Sequence, residues 1–315
     1  MNHLELFHLA EEPFANLPDT RFFFGGAGRA QALAQCQSAL EGARRAVLVE
    51  AAESMGKTML AHKLAESMAA GGHERAARVT VPFAQAGADK LLALALWDLT
   101  LGEARAAAEV SSEIFLQQIE ALGQRGIRTV LVVDEAQMLR GSRALGEMLD
   151  LLSEERGGSL SLSMLFLALR GQGFGAALQE ALSERGMSEA AVIGLEPFTP
   201  EETAAYVAWR LSAAGLAEGA PSPFSGEAMD AVSALSAGAP GRIGLLCEES
   251  LAEAARTKQK TVGARIVRQS AERLGLQNAS ASHPAWSPLP YPGAASPLPD
   301  SLDEIDTFLG SLQAG

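Results

Sequence analysis

Cysteine, positive charge and long hydrophobic runs are all scarce in this sequence of 315 residues. Its two cysteines, Cys36 and Cys247, have neither the spacing of metal ligands nor a disulfide framework around them. We therefore expect both thiols to be small buried apolar groups in a protein of a reducing compartment. The N-terminal residues lack the apolar run of a signal peptide, and no stretch approaches the roughly 20 apolar residues of a membrane helix. The expected location is the cytoplasm.

The shortage of positive charge bears on the choice of partner. The chain has 25 Lys and Arg residues against 38 Asp and Glu residues, which gives a formal net charge of −13. Non-specific affinity for nucleic acid comes largely from Lys and Arg that neutralise phosphates, so this balance disfavours nucleic acid as the main partner. We interpret the densest basic stretch, 256–273, as the solvated face of a helix, with a local nucleic-acid site as the alternative.

Hydrophobic residues make up 48% of the chain, which is enough to bury a substantial core. Five apolar runs have the length of strands, and helical patterns separate them, as is typical of a mostly parallel sheet covered by helices. The sequence therefore predicts an α/β fold. The runs are 46–49, 78–81, 129–133, 162–169 and 191–195.

The composition of the sequence changes after residue 198. A capping threonine, Thr199, precedes a proline and two acids, and no strand-like run follows, which predicts a small helical lobe over 199–275. Residues 276–315 begin with a segment rich in Pro, Ser and Ala, which we interpret as a flexible tether. Its last part has a capping box and apolar residues on one helical face over 301–312. This predicts a short docking helix, and a frayed end with helical tendency is the alternative.

The segment VLVEAAESMGKTMLAHKLAESM, residues 47–68, has the order of a phosphate-binding loop: a strand, a turn, Gly-Lys-Thr and a helix. In such a loop, backbone N–H groups and the lysine bind phosphates, and the hydroxyl reaches Mg²⁺. Ala51 and Ser54 stand where glycines are usual, and a serine at positive φ is strained. A chance Gly-Lys-Thr on a loop is the alternative. The residues predicted to bind the nucleotide are Ala52, Glu53, Ser54, Met55, Gly56, Lys57, Thr58 and Met59, and Thr58 is also predicted to bind the metal.

A second motif lies in TVLVVDEAQML, residues 129–139. This β-branched strand delivers Asp134 and Glu135 at its carboxyl end, where open α/β sheets bind ligands. We predict that Asp134 holds Mg²⁺ through water, and that Glu135 orients and deprotonates the water that attacks the γ-phosphate. A solvated acidic pair at the end of a strand is the alternative, and the Gly-Lys-Thr motif upstream argues against it.

Together with DEAQ, the opening HLELFHLAEEPFANLPDTRFFF resembles the AAA+ ATPases similar to general secretion pathway protein A and the mannose-sensitive pilus biogenesis ATPase, in a soluble short form. The resemblance covers residues 1–275. It implies a nucleotide-binding sheet domain over 1–198 and a helical lid over 199–275. We expect the aromatic opening to pack on the sheet domain near the nucleotide base, with plain core packing as the alternative. The residues that match the opening are Phe7, Pro13, Phe14, Pro18, Asp19, Phe22 and Phe23.

Later motifs extend the resemblance and imply further site residues. LRGQGF stands where the family has Gly-Gln, which makes Gln172 the candidate sensor of the γ-phosphate and Arg170 the second choice. LSERG resembles the family's Leu-x-Gln-Arg, so Arg185 is a candidate arginine that reaches the nucleotide of a neighbouring subunit. An exposed arginine without a partner is the alternative. SAGAPGRIGLL resembles the lid's Gly-x-Pro-Arg-x-Ile-Asn with one glycine inserted and Gly244 in place of Asn, which points to Arg242 as the lid arginine that touches the phosphates.

The resemblance also implies a function. It indicates slow hydrolysis of ATP with Mg²⁺ by a homo-oligomer that assembles or regulates an envelope machine, either a type II secretion system or a type IV-like pilus. The C-terminal helix would dock a protein of that machine. Two other functions remain open: a DNA-associated regulator similar to transposition ATPases, and a nucleotide-dependent scaffold that hydrolyses nothing.

Overall fold

The computed structural model describes residues 2–15, 17–42, 45–100, 110–153 and 162–276. A five-stranded sheet of parallel neighbours lies at its centre, in the order β2-β3-β4-β1-β5. The strands are β1 (Ala46–Ala51), β2 (Glu74–Thr80), β3 (Arg128–Asp134), β4 (Leu162–Leu169) and β5 (Ala191–Gly194). Each strand overlaps one of the five apolar runs, so the predicted α/β fold is confirmed.

Helices precede, separate and follow the strands. They are α1 (His3–Phe7), α2 (Gly26–Glu41), α3 (Lys57–Gly71), α4 (Ala88–Leu99), α5 (Ser112–Gln124), α6 (Arg143–Ser153), α7 (Phe174–Glu184), α8 (Pro200–Ala213), α9 (Gly226–Ser236), α10 (Pro240–Arg256) and α11 (Ala264–Arg273). Short 3₁₀ turns cover Thr20–Phe22 and Ala136–Leu139. Within the described ranges, no helix combines the length and the apolar character needed to cross a membrane. The tether and docking helix predicted for 276–315 lie, beyond Leu276, outside the described residues.

β2 begins at Glu74, well before the predicted run at 78–81. It is an edge strand, paired only with β3 among the described strands, and its side chains alternate between the core and solvent. Ala77 and Val79 are buried, whereas Arg75 and Arg78 are exposed. In a strand with one polar face, apolar and polar residues alternate, so its first residues form no continuous apolar run. The sequence therefore did not indicate that β2 begins at Glu74.

The parallel topology brings three turns together at one edge of the sheet. β4 lies between β1 and β3 and pairs with both, with Ala51 opposite Leu169 and Val133 opposite Phe166. In a parallel sheet the carboxyl ends of neighbouring strands share an edge. The turns that follow β1, β3 and β4 are therefore neighbours, and they contain the predicted site residues.

Most rings of the aromatic N-terminal segment pack on the helical lobe and not, as expected, on the sheet domain. Phe7, Phe14 and Phe22 are buried in the core that α8, α9, α10 and α11 form, whereas Phe23 packs against the sheet-side core. The sheet faces already have their own helices, so the apolar faces of the lobe are the surface left for these rings to cover. The expectation that the segment lies on the sheet domain is thus wrong for three of these four rings.

A buried arginine on α8 fastens the N-terminal segment to the lobe. Arg210 is 5% exposed, and its Nε donates to the Pro13 carbonyl at 2.5 Å while its Nη2 donates to the Ala15 carbonyl at 3.3 Å. Its guanidinium also lies 4.6 Å from the centre of the Phe22 ring. Hydrogen bonds to backbone carbonyls satisfy the cation without a carboxylate, and the ring contact adds a cation–π interaction.

Both cysteines are fully buried packing groups, as the sequence predicted. Cys36 lies in the core between α2 and the sheet, and Cys247 lies in the core of the helical lobe. Burial raises the pKa of Cys36 to about 12 and also raises the pKa of Cys247. Both thiols are therefore protonated at neutral pH and poor nucleophiles.

Candidate functional site

The turn between β1 and α3 has the backbone geometry of a phosphate-binding loop. β1 ends at Ala51 and α3 begins at Lys57. Between them, Ser54 has a φ of 61° and Gly56 a φ of 84°, both in the left-handed region. Left-handed residues within a turn direct successive N–H groups to one side and create a concavity that binds anions. The serine therefore keeps the conformation of the usual glycine, at a cost of roughly 1 kcal/mol.

Lys57 is buried at the inner side of this loop. The residue is 7% exposed, and its Nζ donates to the carbonyl of Ala52, 3.2 Å away. Burial lowers the pKa of Lys57, and the carboxylates of Glu135, Asp134 and Glu53 oppose this shift. The ammonium thus lies close to the acidic pair. An ammonium has three donors, so phosphate oxygens could serve as its remaining acceptors.

The structure brings Thr58 and Asp134 together across the edge of the sheet. The Thr58 hydroxyl donates to Asp134 Oδ2 at 2.6 Å, and the N–H of Glu135 donates to Asp134 Oδ1 at 2.9 Å. Carboxylate, hydroxyl and water oxygens are the ligands that Mg²⁺ prefers, and both side chains remain accessible to solvent. The two residues predicted to hold Mg²⁺ therefore fit such an ion.

Glu135 is held by a neighbour that the sequence analysis did not single out. Its Oε2 accepts a hydrogen bond from the amide nitrogen of Gln137, two residues later. Gln137 is 7% exposed, and its Oε1 accepts the N–H of Leu169 at the end of β4, 3.1 Å away. The signal that the sequence offers for this residue is a polar side chain within the apolar stretch that follows the acidic pair.

The turn after β4 carries both candidates for the γ-phosphate sensor. Arg170 forms an ion pair with Glu196, with 2.8 Å between Nη2 and Oε1. Gln172 is exposed and forms no hydrogen bond with another described residue. The turn lies at the same edge of the sheet as the loop after β1 and the acidic pair after β3. Arg170 is ion-paired and Gln172 is not, and the choice of Gln172 as the sensor stays a prediction.

The first turn of α10 contacts the phosphate-binding loop. The N–H of Gly241 donates to the Ser54 carbonyl at 2.9 Å. Arg242 is the next residue; it is partly exposed and forms no hydrogen bond or ion pair with any residue that the structure describes. Arg242, the arginine predicted to touch the phosphates, thus directly follows the residue that contacts the loop. Its guanidinium is not engaged by any described residue. Gly244 faces the N-terminal segment instead, because a Cβ there would lie 3.9 Å from the Phe14 carbonyl oxygen.

Arg185 lies at the C-terminal end of α7 and is paired within its own chain. Its Nε donates to Asp150 Oδ1 on α6 at 2.7 Å, and its Nη1 donates to the Ala181 carbonyl at 3.0 Å. The alternative of an exposed arginine without a partner is therefore wrong, because the side chain is 22% exposed and ion-paired. The action of Arg185 on a neighbouring subunit stays a prediction.

A second buried arginine, Arg29 on α2, was also missed by the sequence analysis. Its Nη2 donates to the carbonyl of Met55 in the loop at 3.2 Å, and its guanidinium carbon lies 3.7 Å from the centre of the Phe198 ring. Burial lowers the pKa of Arg29 to about 10, against the opposing influence of Glu202 and Tyr206. Arg29 thereby links the phosphate-binding loop to the segment that leads into α8.

Comparisons with known proteins agree on the fold. Residues 40–170 match a family model described as an AAA domain. No match was found among proteins of curated function. Cdc6p from Pyrobaculum aerophilum is similar in structure, with a TM-score of 0.62 at 19% identity over 84% of this chain and 71% of that chain.

Two further solved structures are similar. The ORC2 protein of Aeropyrum pernix, solved as ADPNP–ADP complexes, has a TM-score of 0.62 at 15% identity over 81% of this chain and 72% of its own. A structure of Drosophila ORC bound to DNA has a TM-score of 0.59 at 17% identity over 87% of this chain and 67% of its own. At such identities the likeness shows the fold alone.

Proposed function

Because this chain has the P-loop AAA+ fold, which is that of nucleotide-binding ATPases, we propose that it binds Mg-ATP and hydrolyses it slowly. The observation that carries the proposal is the hydrogen bond of 2.6 Å from Thr58 to Asp134. It joins the phosphate-binding loop after β1 to the acidic pair after β3. Residues suited to binding phosphate and residues suited to activating water therefore share one site.

Each residue at the centre of the site has its own task. The N–H groups of residues 52–59 and the Lys57 ammonium bind the β- and γ-phosphates. Thr58 and, through water, Asp134 would hold Mg²⁺, which neutralises charge on the phosphates when bound. Glu135 orients the attacking water and accepts its proton.

The edges of the site supply the remaining contacts. Gln172, in the turn after β4, senses the γ-phosphate, and Arg242, in the first turn of the lid helix α10, binds the phosphates when the lid is closed. Arg185 reaches the nucleotide of a neighbouring subunit in a homo-oligomer, where its guanidinium stabilises the charge of the transition state. Opening and closing of the lid converts the nucleotide cycle into movement that a partner protein can follow.

The loop itself is the reason to expect slow hydrolysis. Ser54 must stay at a φ of 61° while phosphate is bound, a conformation that disfavours a side chain. Burial also lowers the pKa of Lys57, so the ammonium carries a desolvation cost in the nucleotide-free fold. Ser54 nevertheless keeps its N–H group, and the N–H groups are the part of the loop that binds phosphate.

The test combines calorimetry with a phosphate-release assay. We expect Mg-ATP to release or absorb heat on binding the purified folded chain, and Glu135→Gln to lower phosphate release while binding is kept. Glu180→Gln, an exposed residue of α7, is the matched control and should leave both quantities unchanged. Absence of any heat with folded protein would refute nucleotide binding. Equal and negligible release by wild type and Glu135→Gln would leave the non-hydrolysing scaffold as the function.

The biological role that we propose is the assembly or regulation of an envelope machine, a type II secretion system or a type IV-like pilus, from the cytoplasmic side. Support comes from the sequence resemblance to general secretion pathway protein A and the mannose-sensitive pilus ATPase. The C-terminal segment 301–312 would dock a protein of that machine. A chromosomal Lys57→Ala allele tests this role: we expect loss of secretion or of surface pili at unchanged protein level, and normal amounts of both would contradict it.

A DNA-associated regulator similar to transposition ATPases is the second candidate. Drosophila ORC, one of the similar structures, is bound to DNA. In this chain Arg256 and Arg273 are neutralised by Glu249 and Glu253. Four exposed cations near them pair with no described residue: Lys258, Lys260, Arg265 and Arg268.

DNA affinity distinguishes this candidate from the envelope role. Retention on DNA in the presence of ATP, lost as salt rises and lost in an Arg265→Gln, Arg268→Gln variant, would favour the DNA-associated regulator. No retention at low salt would leave the envelope role.

A further inference from the structure

We propose that Gln137 is a positioning residue for Glu135. It fixes the glutamate carboxylate at the phosphate site and ties it to the end of β4. Three contacts define the arrangement: the Gln137 amide nitrogen donates to Glu135 Oε2, the Gln137 Oε1 accepts the Leu169 N–H at 3.1 Å, and the Glu135 N–H donates to Asp134 at 2.9 Å. The role rests on the ATPase function proposed above.

The orientation of the Gln137 amide is fixed by its partners. A backbone N–H can only donate, so the atom that faces Leu169 must be the amide oxygen. The amide nitrogen then faces Glu135, whose ionised carboxylate can only accept. Since Gln137 is 7% exposed, solvent offers little competition for either bond. The side chain is therefore a bridge of defined polarity between a catalytic carboxylate and a strand end.

The bridge holds Glu135 in a useful direction. Glu135 directly follows Asp134, whose carboxylate accepts the Thr58 hydroxyl of the phosphate-binding loop at 2.6 Å, so the glutamate lies beside the phosphate site. Gln137 occupies one acceptor position of the carboxylate, which has about four. The remaining positions can accept a proton from water. Glu135 also has a φ of 54°, so its backbone alone gives it an unusual direction that the bridge stabilises.

The Gln137 side chain also connects Glu135 to the strand end that precedes the predicted sensor turn. Leu169 is the last residue of β4, and the turn that follows contains Gln172, the predicted γ-phosphate sensor. Gln137 therefore ties the carboxylate of the proposed base to the strand end from which the sensor turn begins.

The test is Gln137→Met, which keeps the length of the side chain but removes its donor and acceptor. We expect the turnover rate to fall about 10- to 100-fold, because displacement of a catalytic group by about 1 Å can cost a factor of this size. The dissociation constant for Mg-ATP should stay within about threefold, since the loop after β1 makes the phosphate contacts. This division between turnover and binding separates a positioning role from a purely structural one.

A matched control exists in α7. Gln179 forms the same kind of bridge, donating from Nε2 to the Ala190 carbonyl at 3.3 Å and accepting the Ala190 N–H at Oε1 at 3.1 Å. Gln179→Met removes two comparable hydrogen bonds away from the proposed site. We expect it to lower stability and to leave the turnover rate unchanged.

The outcomes separate this role from the proposed function. Wild-type release no faster than that of Glu135→Gln would refute the ATPase and this role with it. With an active wild type, a Gln137→Met rate within twofold of wild type, or an equal loss in Gln179→Met, would overturn the positioning role alone. In the Glu135→Gln background, Gln137→Met should cause no further loss. Should Gln137→Met not fold, Gln137→Asn serves instead, because its amide is one methylene too short to bridge both partners, and the same results are expected.

Discussion

The N–H of Gly241 donates to the carbonyl of Ser54 at 2.9 Å, which joins the helical lobe to the phosphate-binding loop. A Cβ on Gly241 would lie 3.0 Å from Ser54 Cβ and 3.2 Å from Ser54 O. Ser54 stands where phosphate-binding loops usually have glycine, and Gly241 directly precedes Arg242. These two residues, which both depart from the motifs that the sequence resembles, therefore meet. The helix α10 can begin this close to a loop residue that carries a side chain because residue 241 has none.

Gly241→Ala should destabilise the contact between α10 and the phosphate-binding loop. The added methyl group meets both the Cβ and the carbonyl oxygen of Ser54, so the loop and the first turn of α10 must move apart by a few tenths of an ångström, and overpacking of this kind costs about 1–3 kcal/mol. We expect a lower free energy of unfolding in urea and weaker Mg-ATP binding. Gly226→Ala, at the start of α9 with open space around it, is the control and should be neutral or slightly stabilising. Equal effects of the two substitutions would contradict the contact.

Ser54→Gly should change the unfolding free energy by less than about 1 kcal/mol, because relief of strain at positive φ is offset by greater freedom of glycine in the unfolded chain. Its effect should appear in combination. Without the Ser54 Cβ, the nearest atom to a Cβ at residue 241 is the Ser54 oxygen at 3.2 Å. The double variant should therefore recover about 0.5–1 kcal/mol of the cost of Gly241→Ala. Strictly additive costs in urea unfolding would show that the two residues do not interact.

The sequence predicted the parts of the site that depend on short stretches of the chain. Five apolar runs, the Gly-Lys-Thr motif at the start of α3 and the acidic pair at the end of β3 specify a parallel sheet with its loops at one edge. The meeting of Thr58 and Asp134 follows from that topology, because strand order is the only long-range information it needs.

Contacts between distant residues could not be predicted in the same way. The contacts of Gln137 and Arg29 are made with the end of β4 and with the Phe198 ring, which lie beside them only in the folded chain. The expectation for the N-terminal rings is wrong for three of the four for the same reason. Burial of aromatic residues is readable from composition, but the surface that buries them depends on which apolar face the fold leaves open.

Lys57→Met should abolish Mg-ATP binding and make the nucleotide-free protein more stable. Burial lowers the pKa of Lys57, which means that the fold disfavours its charge even with Glu135, Asp134 and Glu53 nearby. Methionine has a similar shape and no charge to desolvate. We expect a gain of about 1 kcal/mol in the free energy of unfolding, within the range of substitutions that trade function for stability. A loss of stability in urea unfolding would show that the ammonium is well solvated or well paired.

The same lysine predicts a pH dependence. Its pKa is lower in the folded state than the ordinary value of 10.5, so the unfolded chain binds more protons between the folded-state pKa and 10.5. Stability from this group therefore rises with pH through that window. The advantage of Lys57→Met over wild type should shrink as pH increases toward 10.5. Urea unfolding of both proteins at pH 7.5, 9 and 10 measures the difference, and a constant or growing gap would contradict the lowered pKa.

Arg185 should act on the nucleotide of a neighbouring subunit, although in the isolated chain it is paired with Asp150 at 2.7 Å. A partly exposed ion pair of this kind contributes only about 0–1 kcal/mol, so a partner subunit can displace it. Arg185→Ala should then lower phosphate release without weakening Mg-ATP binding, and Asp150→Asn should not lower phosphate release.

Mixing the two variants Arg185→Ala and Glu135→Gln is the decisive measurement. Arg185→Ala subunits keep Glu135, and Glu135→Gln subunits keep Arg185, so interfaces between the two variants contain one complete site. We expect the mixture to release phosphate faster than the mean of the separate variants. A rate equal to that mean, in a mixture shown by co-purification with an affinity-tagged variant to form mixed oligomers, would place the function of Arg185 within its own chain.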